Sequence, residues 1–143
     1  KGQPTRTAQN RDRAGRRFYC THFLAPHMLF GLSGSARLFL YCQPADMRKG
    51  FDGLGGLVTN QLGQNPLSGD IFIFVNRNRT LVKILVWDQT GFAIWHKRLE
   101  QGTFELPPIG KSQTSVEITR QKLMLILEGI SLKSVKTRKR FSL

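Results

Sequence analysis

The stretch DIFIFVNRNRTLVKILVWDQTGFAIWHKRLE, residues 70–100, restricts the fold more than any other part of the chain. Three runs rich in β-branched and aromatic residues, DIFIFVN (70–76), LVKILVWD (81–88) and FAIWHKRLE (92–100), are separated only by the turn-forming segments RNRT and QTG. Connections this short leave no room for a crossover, so the runs are expected to pair as an antiparallel meander. The middle run is apolar on both faces, with Leu81, Leu85 and Trp87 alternating against Val82, Ile84 and Val86. Such a strand belongs inside a sheet that is covered on both sides.

The covers are expected to be helices. ARLFLYC (36–42) reads as a further strand, which QPADM stops; Pro44 suits the first turn of a helix and Asp46 the positive end of its dipole. Met47, Phe51, Leu54, Val58 and Leu62 then recur at helical spacing and form one apolar stripe, with Arg48 and Asp52 as an i,i+4 pair on the polar side. This helix is expected to close near Gly63, before the turn-rich GQNPLSG. After the meander, QGTFELPP and IGKSQTS form a connection ending in serine and threonine caps. VEITRQKLMLILEGISL (116–132) follows as a second helix, with Ile118, Leu123, Ile126, Leu127 and Ile130 on its apolar side and Gly129 near its end. The expected fold is α+β, a single domain in the order β-α-β-β-β-α, an antiparallel meander covered by helices. No internal repeat is visible.

Charge divides the chain into three parts. Of the net +13, residues 1–27 carry +5, residues 28–130 only +3, and the last thirteen residues +5, from Lys133, Lys136, Arg138, Lys139 and Arg140 without an acid. A basic tail on a nearly balanced domain fits a polyanion, because neutralising phosphates releases condensed counterions; an acidic protein or bulk solvent are the competing occupants. Residues 1–27 sustain neither a helical nor a strand period, and are read as a disordered extension ahead of a domain at 28–132, with residues 133–143 as the basic tail.

Catalytic chemistry is poorly served. His22 and His27 lie in the first segment, and His96 alternates within a strand without a visible partner. Asp70, Asp88 and Glu105 or Glu128 are the acids from which a two-metal trio would have to come, but Asp at a strand end next to a turn ordinarily bonds backbone. GLGG at 53–56 lies inside the helical stripe, so it is no dinucleotide fingerprint. Cys20 and Cys42 match no metal or CxxC spacing and read as thiols rather than a disulfide. No apolar run reaches the roughly 20 residues of a membrane span, so a cytoplasmic chain is expected, nucleoid-associated when bound to DNA. No metal, cofactor or small-molecule substrate is expected. Trp87 and Trp95, on neighbouring strands, read as packing residues rather than a base-stacking platform. Lys97 and Arg98 fall on opposite faces and cannot form one patch alone. The turn Asn76-Arg77-Asn78-Arg79 presents two arginines able to reach phosphates, although such a turn is equally accounted for by its backbone angles.

The order of three stretches, QPADMRKGFDGLGGLV, LSGDIFIFVNRNRTLVKILVWDQTGFAIWHKRLEQGTFELP and LEGISLKSVKTRKRFSL, closely resembles the TnpB accessory proteins of the insertion-sequence family numbered sixty-six, over about residues 28–143. These are distinct from the RNA-guided nuclease that shares the name. The resemblance implies a bacterial mobile-element protein that supports transposition beside a separate DDE transposase and has no established activity of its own. It also implies that residues 1–27 are a read-through extension, since relatives usually begin near the position of Met28. Relatives carry small residues where Gly50, Gly55 and Gly56 stand, which suggests that the helix lies close to the sheet or to a partner while Arg48, Lys49 and Asp52 remain available as candidate interface residues. The expected function is therefore a non-catalytic accessory protein binding DNA, at the element ends or non-specifically, through Arg77, Arg79, Lys133, Lys136, Arg138, Lys139 and Arg140. The alternative is an assembly module for the transposase or another element-encoded protein.

Overall fold

The computed structural model describes residues 9–11, 17–19 and 34–133. The chain divides into two units, Lys1–Gly34 and Ser35–Leu143. In the first, strands β1 (Gln9–Arg11) and β2 (Arg17–Tyr19) pair antiparallel with Asn10 opposite Phe18.

The second unit runs β3 (Leu38–Tyr41), α1 (Phe51–Asn60), β4 (Ile71–Val75), β5 (Leu81–Trp87), β6 (Phe92–Arg98), β7 (Ser115–Ile118) and α2 (Arg120–Glu128). It is an α+β domain whose five strands form one sheet in the order β6-β5-β4-β3-β7. The β4-β5-β6 meander is antiparallel, as its short turns require, and β5 is an interior strand.

Two features depart from the expected topology. Strand β3 pairs parallel to β4, Phe39 against Phe72, so the sheet is mixed. The α1 segment is the crossover a parallel pair demands, long enough to carry the chain back along the sheet. The second departure is β7. Residues 115–118 pair antiparallel with the free edge of β3, Val116 opposite Leu40 and Ile118 opposite Leu38, instead of opening the second helix. A helix start here would waste that edge, and the β-branched Val116 and Ile118 suit a strand. The helix starts one residue after Thr119, whose hydroxyl accepts from the Lys122 amide at 3.1 Å. It stops at Gly129 in the left-handed region, φ 73°, where the amides of Gly129 and Ile130 return to the carbonyls of Ile126 and Leu125.

Both faces of the sheet are covered. One carries Phe39, Tyr41, Phe72, Phe74 and Leu85, which enclose Leu54 and Val58 of α1. Phe39 stacks on Phe72 and Tyr41 tilts against Phe74, each pair with centroids 5.8 Å apart. On the other face Leu40, Ile73 and Ile84 are buried in one row across three strands. There α2 buries Leu123, Ile126 and Leu127, and the Lys97 ammonium donates to the Leu127 carbonyl at 2.8 Å. Trp87 and Phe92 meet edge to face at 5.1 Å, the half-buried Trp87 serving as packing at the meander turn.

The first helix also differs from its sequence pattern. It begins at Phe51 rather than near Met47, and Phe51 is 50% exposed, outside the stripe to which its spacing assigned it. Ile130 likewise lies beyond α2 and is exposed. Asp46 is no helix-dipole partner. It precedes α1 in a turn, accepts the Arg48 amide at 2.9 Å and holds the Arg48 guanidinium at 2.8 Å, which takes Arg48 away from Asp52. That pairing lowers the Asp46 pKa to about 2. Of the three glycines Gly50, Gly55 and Gly56, only Gly55 faces the sheet, where a Cβ would stand 3.9 Å from Phe92 in ordinary contact; at Gly50 and Gly56 a Cβ would meet open space.

Candidate nucleic-acid interface

The topology collects basic groups at one end of the sheet. Strands β3 and β4 both run toward this end, and α1 starts there, its preceding turn carrying Arg48 and Lys49. The Lys83 ammonium, on β5 opposite Phe74, donates to the Lys49 carbonyl at 2.8 Å and fixes that turn to the sheet. Helix α2 starts at the far end, since β7 runs antiparallel to β3, and returns. Its last turn is held by Lys97, whose strand neighbour Val82 pairs with Val75 at the end of β4.

The connection between β4 and β5 is a braced tip. The Arg79 amide donates to the Asn76 carbonyl at 3.1 Å, closing a turn over 76–79. The Asn76 side chain accepts from the amides of Thr80 and Leu81, both at 2.9 Å, and donates to the Thr80 hydroxyl. Arg79 stands at φ 57°, the left-handed position that closes hairpins of this shape and ordinarily takes glycine. Its carbonyl accepts the Phe104 amide at 2.7 Å, and the fully buried Phe104 anchors the long connection after β6 against the tip. The side chains of Arg77 and Arg79 are exposed, and among the described residues neither forms an ion pair.

Beside the tip lies an open cleft of about 170 Å³ at the carboxyl ends of β3 and β4. Tyr41, Pro44, Val75, Leu106 and Ile109 line it together with Gln43, Asn76 and the two arginines. Cys42 also lines it, its thiol pKa raised by burial. Two of the lining segments are tied together, because the Ala45 amide donates to the Val75 carbonyl at 2.9 Å.

Of the other residues singled out by sequence, Lys133 is exposed just after α2, whereas Lys136, Arg138, Lys139 and Arg140, like Cys20, His22 and His27, lie outside the described residues. Lys97 and Arg98 do point to opposite faces, Lys97 toward α2 and Arg98 toward an exposed pair with Glu100. The two aspartates of the imagined metal trio are occupied locally. Asp70 accepts the Arg37 amide and guanidinium, both at 3.0 Å, and Asp88 caps the turn through Thr90 and Gly91. His96 stands opposite Lys83, and partial burial of the ring together with that positive charge lowers its pKa. Among the described residues, no three of His, Cys, Asp and Glu stand together as a ligand set, and no helix is long and apolar enough to cross a membrane.

Comparison with known proteins identifies the family. The sequence profile described as IS66 Orf2 like protein matches residues 36–137, which include the whole mixed sheet and both helices. This chain belongs to that family. Its relatives include two uncharacterized proteins of Sinorhizobium fredii. One, y4jC, is 31% identical over 108 residues, covering 76% of this chain and 91% of the relative. The other, y4hO, is 32% identical over 96 residues, covering 67% and 82% respectively. No solved structure matches. The family is that of IS66 accessory proteins, and the tip, the cleft and the α1 turn all lie within the matched region.

Proposed function

We propose that this IS66 Orf2-like protein is a non-catalytic accessory factor of transposition that binds DNA electrostatically, through the arginine tip and the basic tail, in support of a separate DDE transposase. One observation carries the reading. Arg77 and Arg79 are exposed, free of acidic partners among the described residues, and held on a braced tip at the end of the sheet to which α2 returns the chain ahead of its basic segment. Cations already freed from intramolecular pairs can replace counterions on phosphates without first breaking a bond. Lys133, Lys136, Arg138, Lys139 and Arg140 supply the tail contacts in this reading.

The test is a salt titration of binding to duplex DNA carrying the element's terminal repeats, beside a scrambled duplex. Five tail phosphates give a log–log slope of about −4 to −5, and the two tip arginines steepen it to about −6. Absence of binding at low salt sinks the reading.

A second reading has its own observation. Phe51, exposed on α1 and flanked by Arg48, Lys49 and Asp52, is the kind of aromatic anchor with a polar rim that protein interfaces use. An assembly module would bind the transposase or another element-encoded protein through it. Deleting residues 136–143 abolishes DNA binding in the first reading and leaves partner capture intact in the second.

A further inference from the structure

We propose that the cleft at the carboxyl ends of β3 and β4 receives one unpaired nucleotide of the bound DNA, its base against Pro44, Leu106 and Ile109 and its phosphate on Arg77 and Arg79. The inference rests on the DNA-binding reading and adds to it a preference for strand ends or unpaired positions over closed duplex.

The cleft exists because two neighbouring parallel strands send their chains apart, β3 into the 42–50 turn and β4 into the tip, while the connection after β6 closes the third side. The lining is divided as a nucleotide is divided. Pro44, Leu106 and Ile109 offer apolar contact to a flat ring, and Arg77 and Arg79 line the same cleft. Arginine matches phosphate oxygens in a bidentate fashion. The Gln43 amide, without a hydrogen-bond partner among the described residues, has both a donor and an acceptor to offer a base edge. At about 170 Å³ the cleft suits a single base and not a base pair, and the duplex keeps its bases stacked inside.

Preorganisation supports the assignment. Backbone hydrogen bonds from Ala45 to Val75 and from Phe104 to Arg79 tie together the segments that line the cleft. Arg79, which lines the cleft, is kept in a backbone conformation where glycine would carry no steric cost.

Fluorescence anisotropy of the full chain tests this with a blunt duplex, the same duplex bearing a short single-stranded overhang, and an overhang of abasic nucleotides, at matched phosphate number. The base-bearing overhang is expected to bind about fivefold tighter or more than the other two, the gain a stacked base supplies. Ile109→Trp, which fills the cleft, is expected to erase the preference. Ile109→Ala, which thins the wall, is expected to reduce the preference without demanding any repacking. Equal affinity for blunt and overhung duplex overturns the cleft assignment and leaves the DNA-binding reading standing. An abasic overhang that binds as well as the base-bearing one overturns the base slot. A deoxynucleoside monophosphate that competes as well as the overhang overturns the strand assignment in favour of a free-nucleotide site. No binding to any duplex at low salt overturns both readings.

Discussion

Asp70→Ala decides whether this buried acid is structural or chemical. Asp70 is 7% exposed, one residue before β4, and its two carboxylate oxygens clasp Arg37 ahead of β3, one on the backbone amide and one on the guanidinium, both at 3.0 Å. The clasp fixes the start of the parallel pair, since the Ile71 amide donates in turn to the Arg37 carbonyl at 2.8 Å. Alanine would leave the Arg37 amide without its acceptor, at a cost of about 1–3 kcal/mol. The guanidinium is 54% exposed and also lies over the Phe39 ring at 5.1 Å, so losing the ion pair adds less than about 1 kcal/mol. The expected destabilisation is about 2–3 kcal/mol, a fall in Tm of roughly 10–20 °C for a domain of this size. Asp70→Asn keeps an acceptor for the amide and is expected to cost only about 1 kcal/mol. Urea unfolding followed by tryptophan fluorescence reads both. A loss below about 0.5 kcal/mol for Asp70→Ala, or equal losses for the two variants, refutes the clasp. Divalent-metal-dependent DNA cleavage that disappears in a folded Asp70→Asn protein would assign the acid to chemistry instead.

Arg79→Gly removes a guanidinium while keeping the φ of 57°, so thermal unfolding is expected to show unchanged stability or a gain of up to about 1 kcal/mol, while the DNA salt slope becomes shallower by about 0.9. Gly56→Ala, whose Cβ meets open space inside α1, is expected to raise stability by about 0.5–1 kcal/mol in urea titration; a loss would show that the helix requires glycine there. Asp46 is held at a pKa of about 2 in the fold against 3.8 unperturbed, and a lowered carboxylate pKa stabilises the fold above the unperturbed value. That contribution is therefore lost as pH falls from 3.8 toward 2, and Asp46→Asn is expected to flatten acid unfolding in that window; an NMR titration midpoint near 3.8 would remove the basis for it.

The tip was legible as a turn because Asn, Arg and Thr between two apolar runs have few other uses, and its arginines were legible as phosphate candidates. The cleft beside them was not. Its walls come from three segments around positions 41–44, 75–79 and 106–109, and no local pattern links Pro44 to Ile109. Phe51 was misplaced for a related reason: its spacing puts it on the apolar stripe, but α1 begins at Phe51 itself, at the rim of the sheet, where no covering surface reaches it.

The sequence by itself determined the elements whose signals are local. Alternation and short turns specified the β4-β5-β6 meander, helical spacing placed Leu54 and Val58 on the buried side of α1, and Gly129 marked the end of α2. It also determined how the charge is distributed, a nearly neutral middle between basic ends. Tertiary structure decided what depends on partners distant in the chain. Residues 115–118 became a strand because the edge of β3 offered unpaired backbone groups, which outweighs the small propensity differences across four residues. Strand β3 lies parallel to β4 because α1 covers the face they share and returns the chain to the far end of the sheet. The same return leaves the ends of both strands open beside Arg77 and Arg79, so the cleft is a product of the topology and of no single segment.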